Sequence, residues 1–577
     1  MHRTMAEPSW RELYKPKLVT VLREGYGLKD LRADLVAGLT VAIVALPLSM
    51  AIAIASGVTP DRGLYTAIVG GFLVSMLGGS RFQIGGPAGA FIVLVAATVE
   101  RLGLGGMALA VALSGLILMA VGALRLGTFI KYIPYPVTVG FTAGIAVIIG
   151  ASQMRDLLGL TLPGKEPGPL VPKLLALEQA LPTLNPAALC TAVATILMIA
   201  LLRRWRPNWP VLLIAVTVAS VAVALAGIKV ETIGTRFGAL PRGLPPPQLP
   251  PLSLDLVVAV FPDAVAFALL GAIESLLSAV VADGMTGRRH RANAELVAQG
   301  VANIASALCG GICVTGTIAR TATNVRAGAR GPVSGMAHAV FLALFMAVAA
   351  PLASYIPLSA LAAVLAVVAW NMAEKHAFAL LLRASWGDAA VLLSTFLLTI
   401  LRDLTLGITV GFATGSLLFI HRMAGTLRVE GSAPLVAPDV ADRSGPLPDQ
   451  PTVRDDDILV FRLSGAFFFG AAAGVSALFD RVAARPRAYV LDLTAVPLLD
   501  STAATVIDGL TAKARRQGAV VAIALADPEA RHLLSSHGLK APRVYFGRTQ
   551  EQALARVRRV LGRAPGGGSQ VPDDGEA

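Results

Sequence analysis

The chain has 577 residues, 55% of them hydrophobic and 15% charged, with a mean hydropathy of +0.69. That balance excludes a soluble globular protein and fits one that crosses a bilayer many times. The net charge of +13 does not point to nucleic acid, because the arginines sit in short loops between apolar runs.

The first thirty residues are charged, with no short apolar stretch before a cleavage site, so residues 1–33 read as an uncleaved segment. Apolar runs follow almost without pause from Asp34. They fall near 34–56, 64–78, 84–99, 105–124, 130–152, 187–203, 209–227, 260–283, 294–309, 316–330, 333–353, 357–371, 387–401 and 404–421, which makes fourteen predicted spans in a membrane domain of 34–428. Several are shorter than the roughly 20 residues of a full crossing. Loops after even-numbered spans carry most of the basic residues, among them Arg203, Arg204, Arg288, Arg289 and Arg422. By the positive-inside rule those loops and both termini are cytoplasmic.

The stretch 261–335 is chemically unlike the rest. Its eighth span carries Glu274, and a carboxylate in mid-bilayer costs at least ~2.5 kcal/mol, so it should face protein or water. Its tenth span, GGICVTGTIARTATNVRAGARG, is interrupted by Gly310, Gly311 and Gly316 and carries Arg320. It reads as an extended lead-in followed by a half-helix from near Thr315, which would aim free N–H groups and a positive dipole end at whatever lies ahead. Such a break is tolerated in a membrane where it lines a cavity. Together these features suggest an anion site coupled to a cation or proton. The alternative readings are a structural acid at Glu274 and a snorkelling arginine at Arg320.

The chain also repeats itself. VALPLSMAIAIASG (Val44–Gly57) lines up with GAIESLLSAVVADG (Gly271–Gly284), each ending in a polar residue and glycine. GGPAGAF (Gly85–Phe91) falls near VTGTIAR (Val314–Arg320), and Lys131–Pro134 matches Ser354–Pro357. Two repeats of seven spans, about 34–227 and 260–421, have opposite orientations because seven is odd. In the first repeat Pro87 suits the first turn of a second half-helix. Cys190, Cys309 and Cys313 have no histidine or acidic companions and read as small apolar residues, so no metal or other cofactor is expected. The spans hold no nucleophile–base pair, which disfavours an enzyme.

Beyond Arg428, a Pro- and Asp-rich linker (429–457) leads to alternating β-rich runs and amphipathic helices over 458–562, a small α/β domain. Gly474–Ala484 reads as one of its helices. The last residues, 563–577, read as a disordered tail.

The strings DLVAGLTVAIVALPLSMAIAIASG, GLYTAIVGGFLVSMLGGSRFQIGGPAGAF, GAIESLLSAVVAD and TGTIARTATNVRAGARGPVSG resemble the SulP anion transporters, the family that includes prestin. The C-terminal domain is similar to a STAS domain. This resemblance implies a seven-plus-seven inverted-repeat helical membrane fold, with a core (spans one to four and eight to eleven) that moves like an elevator against a gate. It also implies a homodimer in the plasma (bacterial inner) membrane, and a STAS domain able to bind a regulatory protein. It places the anion between Gly86, Pro87 and Ala88 on one side and Gly316, Thr317 and Ile318 on the other, with Gly89 and Pro47 beside them and Arg320 close by. Glu274 matches the family's acidic coupling position, with Ser278 one turn later. Glutamate there leans toward proton coupling, with sodium as the alternative. Sulfate is the first expected substrate, then bicarbonate, then a dicarboxylate. The rival readings are an uncoupled exchanger or channel, and a membrane sensor that signals through the STAS domain. Asp500-Ser501-Thr502 resembles a phosphorylatable turn, but Ala503 stands where a glycine is usual, so a helix cap from Asp500 or Ser501 is the expected use.

Overall fold

The computed structural model describes residues 14–127, 134–164, 166–206, 209–402, 404–430, 458–472, 475 and 486–562. The predicted linker, the tail, Lys131 and nearly all of the helix expected over 474–484 lie outside the described residues. The chain divides into two compact units, Met1–Gly415 and Ser416–Ala577.

The first unit is helical. A short α1 (Lys17–Arg23) precedes α2 (Leu28–Ala55), which continues through Pro47. The second span is composite: α3 (Pro60–Tyr65), a π-helical turn (Thr66–Gly70) and α4 (Gly71–Leu77). A two-residue strand β1 (Gly85–Gly86) and a 3₁₀ turn (Gly89–Phe91) lead into α5 (Ile92–Ala123). Two expected spans meet within α5 at Gly103, whose φ of 70° breaks the helix where a side chain would be strained. Next come α6 (Tyr135–Leu158), α7 (Leu170–Ala180), α8 (Pro186–Trp205), α9 (Val211–Ala226) and α10 (Ile233–Phe237).

The second half runs α11 (Leu254–Thr286), α12 (Ala292–Leu308), β2 (Thr315–Gly316), α13 (Ile318–Arg326), α14 (Val333–Ala353), α15 (Leu358–Met372), α16 (Lys375–Ala384), α17 (Trp386–Leu401) and α18 (Leu404–Ala424). Eight helical stretches among the described residues are long and apolar enough to span a bilayer. Each of the fourteen predicted spans overlaps helix, although those near 84–99 and 316–330 begin in strand. The sequence reading missed α1, in the N-terminal segment, and α7, α10 and α16, short helices inside what it took for loops.

Helix α11 overruns the span expected over 260–283, ending at Thr286 before Gly287, whose φ of 69° suits a left-handed cap. Pro87 is not in a first helical turn, contrary to expectation. It sits in extended chain before the 3₁₀ turn, because Gly85 and Gly86 are engaged in a strand.

Glycines set the closest helix contacts. Gly115 of α5 and Gly300 of α12 lie back to back, each so near the other's carbonyl that neither could carry a methyl group, and Gly38 of α2 rests in the same way on Ser334 of α14. With no hydrophobic drive between helices in lipid, such small-residue packing and buried hydrogen bonds hold the bundle.

The second unit is built on a five-stranded sheet in the order β3 (Arg428–Glu430), β4 (Ile458–Ser464), β5 (Ala488–Ala495), β6 (Val520–Ala524), β7 (Tyr545–Gly547). The β3–β4 pair is antiparallel and the others are parallel. Helices α19 (Ser501–Arg516) and α20 (Pro528–Ser536) bury Ile507, Leu510 and Leu534 with Phe461, Leu491 and Ile523. Helix α21 (Gln550–Leu561) packs Ala553 and Val557 with Val490 and Ala522.

Candidate functional site

The two interrupted spans meet. Strands β1 and β2 pair antiparallel, Gly85 opposite Gly316 and Gly86 opposite Thr315, and the Thr317 N–H donates to the Ile84 carbonyl at 3.0 Å. The chain then turns into helix on both sides, at Gly89 and at Ile318. The latter is three residues later than expected, because Thr315 and Gly316 are spent on the strand. Neither helix start has a side-chain cap, so its first N–H groups remain available to a ligand. Pro87, Ala88 and Thr317 are buried, while Ile318 is 38% exposed at the open end of α13. Gly89 has Met372 of α15 and Ile149 of α6 as its nearest outer neighbours.

A set of hydroxyl and amide groups fixes this arrangement. On α11, Ser275 and Thr315 share a 2.8 Å hydrogen bond, Thr315 donates to the Gly271 carbonyl at 3.2 Å, and the Gly316 N–H donates to Ser275 at 3.3 Å. The Asn303 side chain clamps Val314 from both sides, donating to its carbonyl and accepting its N–H, each at 2.8 Å. From the π-helical turn, Thr66 accepts the Ile312 N–H at 2.7 Å and donates to the Arg62 carbonyl at 2.6 Å. Thr321 accepts the Ile84 N–H at 3.1 Å, which ties α13 to the strand of the other repeat.

The charged residues stand apart from one another. Arg320 is 2% exposed; its Nη2 donates to Ser49 of α2 at 3.2 Å and its Nη1 presses on Gly86. No carboxylate pairs with it among the described residues. Glu274 is half-buried, and its shielded Oε2 has no hydrogen-bond partner. The Ser278 hydroxyl, one turn after Glu274, donates to Thr321 at 3.0 Å. Pro47 lies buried inside α2, and the α2 side chain that reaches Arg320 is Ser49, two residues on. The sequence reading missed Ser49, Ser275, Thr315, Thr321 and Asn303. Their one signal is a polar side chain within an apolar run, which serine and threonine give too often to single out.

No group of three or more His, Cys, Asp or Glu side chains able to hold a metal occurs among the described residues. The arrangement therefore offers main-chain donors, one buried guanidinium and a separate carboxyl group. In the second unit, Asp500 caps α19, accepting the Ala503 N–H at 2.8 Å and, through its other oxygen, the Phe469 N–H at 3.0 Å. Ser501 is exposed in the first turn.

Comparison with known proteins bears on both units. The sulfate permease family matches residues 31–395, and the STAS domain matches residues 450–545. The chain is 39% identical to a putative sulfate transporter, YvdB, of Bacillus subtilis, over 89% of this chain and 95% of that one. It is 30% identical to the bicarbonate transporter BicA of Synechocystis, over 86% and 88% of the two chains. The murine Slc26a9 anion transporter, in its inward-facing state, superposes with a TM-score of 0.81 over 97% of this chain and 96% of that one at 17% identity, a likeness of fold. A mostly helical membrane unit, followed by a sheet-based domain at the C-terminus, is thus the architecture of known relatives. The chain belongs to the sulfate permease family and carries a C-terminal STAS domain.

Proposed function

We propose that this protein is a secondary active transporter of small anions, with sulfate as the substrate, protons as the coupling ion, and alternating access by elevator-like motion of the core. The antiparallel meeting of Gly85–Gly86 with Thr315–Gly316 carries the reading: it sets two uncapped helix starts and Arg320 around one spot. An anion there would accept main-chain N–H groups and neutralise both dipole ends and the guanidinium. A proton on Glu274 would remove a shielded negative charge that repels the anion, which makes the loaded core less costly to carry through the bilayer. The STAS domain would take a regulatory partner, and the working unit would be a homodimer in the plasma membrane with both termini on the cytoplasmic side.

Sulfate is preferred because the 39% identical relative bears that name, and bicarbonate is the second reading because BicA bears the other. Uptake of labelled sulfate, bicarbonate and succinate into proteoliposomes, each with and without a pH or sodium gradient, tests the proposal. Sulfate accumulation driven by an inward proton gradient is the expected result. Flux that follows membrane potential and ignores pH would favour an uncoupled channel or exchanger.

A further inference from the structure

Behind the β1–β2 pair lies a group of polar side chains that the transport reading leaves unused. Asn324 and Ser334 are joined by a 2.8 Å hydrogen bond between α13 and α14. Arg320 stands one turn before Asn324, and His338 one turn after Ser334, so the same two helix faces bring the guanidinium and the imidazole into register. His338 is fully buried, and Gln83 is 3% exposed and lies against Gly316. A methyl group on Gly71 would meet both the Gly85 carbonyl, at 2.8 Å, and His338 Nδ1, at 3.8 Å, so His338 and Arg320 both approach the short segment 83–86 that carries Gln83.

Seven side-chain atoms here are buried with no protein partner: Nε and Nη1 of Arg320, both ring nitrogens of His338, both amide atoms of Gln83, and Oδ1 of Asn324. Orphans of this kind are rare singly, and a cluster points to a ligand. Its chemistry follows from the mixture. A cation would meet Arg320, and an anion would meet the acceptor oxygens of Gln83 and Asn324. Only a small neutral molecule that both donates and accepts satisfies the set, and that molecule is water.

Resting on the transport reading above, we propose that Arg320, Gln83, His338 and Asn324 form a buried hydration site behind the anion cradle, in which water held by His338 and Gln83 supplies the guanidinium with partners while the cradle is empty. A loaded cradle gives Arg320 an anion instead. The site would therefore lower the cost of the empty core, the form that must cross the membrane in net uptake but not in one-for-one exchange. His338 is on this account a positioning residue, acting on the anion through Arg320.

The test compares His338→Leu and His338→Gln in proteoliposomes, reading net uptake and exchange of labelled sulfate separately. His338→Leu should slow net uptake roughly tenfold, the effect of orphaning one buried donor, while exchange stays within about twofold. Its KM should fall, since the empty site loses what competes with the anion. His338→Gln, whose amide both donates and accepts, should restore net uptake. Equal loss of both fluxes, or loss of neither, overturns the hydration site and leaves the transport reading standing. If the wild-type protein moves none of the anions, that reading fails instead. The site is then judged by a high-resolution structure, in which ordered water within hydrogen-bond reach of His338 and Gln83 supports it and a dry, repacked cluster overturns it.

Discussion

Gly86 lies so close under the Arg320 guanidinium that a methyl group on its Cα would overlap Nη1. Gly86→Ala should therefore displace the guanidinium and also strain a backbone whose φ is 158°, so the variant's folding is verified before its uptake is read. A lost hydrogen bond to a charged group is worth about 1.5–3 kcal/mol, or roughly 10–100-fold in anion affinity. Concentration-dependent uptake measures it; an unchanged KM would remove Arg320 from the anion site.

Glu274 offers the complementary experiment. Its Oε2 has no hydrogen-bond partner and no arginine or lysine pairs with it among the described residues, so Glu274→Gln costs the packing little. Proton-driven accumulation should disappear while counterflow persists. Accumulation that survives the substitution would assign coupling elsewhere.

The sequence disclosed where the two interrupted spans break better than how the breaks are joined. The breaks at Gly85–Gly86 and Gly310–Gly316 were legible because glycine and proline runs stand out in apolar spans, and a near-constant offset tied them together. That the two breaks pair as strands was not legible, since two residues carry no strand periodicity. Ser278 illustrates the limit. Spacing put it on the Glu274 face, yet its hydroxyl goes to Thr321, a partner 43 residues away that helix geometry cannot supply. His338 and Gln83 likewise gained meaning only when the helices were packed.

In the STAS unit the two candidate capping residues separate cleanly. Asp500→Ala removes acceptors for the Ala503 and Phe469 N–H groups and should destabilise that unit by about 1–2 kcal/mol. Ser501→Ala, at an exposed first-turn position, should stay within about 0.5 kcal/mol. Hydrogen exchange of the α19 amides in the full chain distinguishes them: roughly tenfold faster in the first variant and unchanged in the second.

The N-terminal helix should respond to acid. Arg81 hydrogen-bonds Glu24 and holds its carboxyl below the ordinary value of 4.5. For an acid depressed in the folded state, the stabilisation is present above about pH 4.5 and is lost as pH falls through the lower, folded value. Exchange in Lys17–Arg23, corrected for intrinsic rate, should therefore rise below that pH in the wild type and stay level in Glu24→Gln. Parallel curves would mean that the ion pair does not hold α1.

The pairing of Gly85 with Gly316 carries one more implication. Where a solute is met by peptide groups rather than by interchangeable side groups, point substitutions have little to edit. Under the proposed function, a shift from one oxyanion to another would come through the spacing of two abutting backbones, set by the residues that brace them from behind. Descendants of this chain could then diverge widely along their lipid-facing surfaces and keep the same cargo, and a change of cargo would begin at a bracing position such as Asn303 or Thr321.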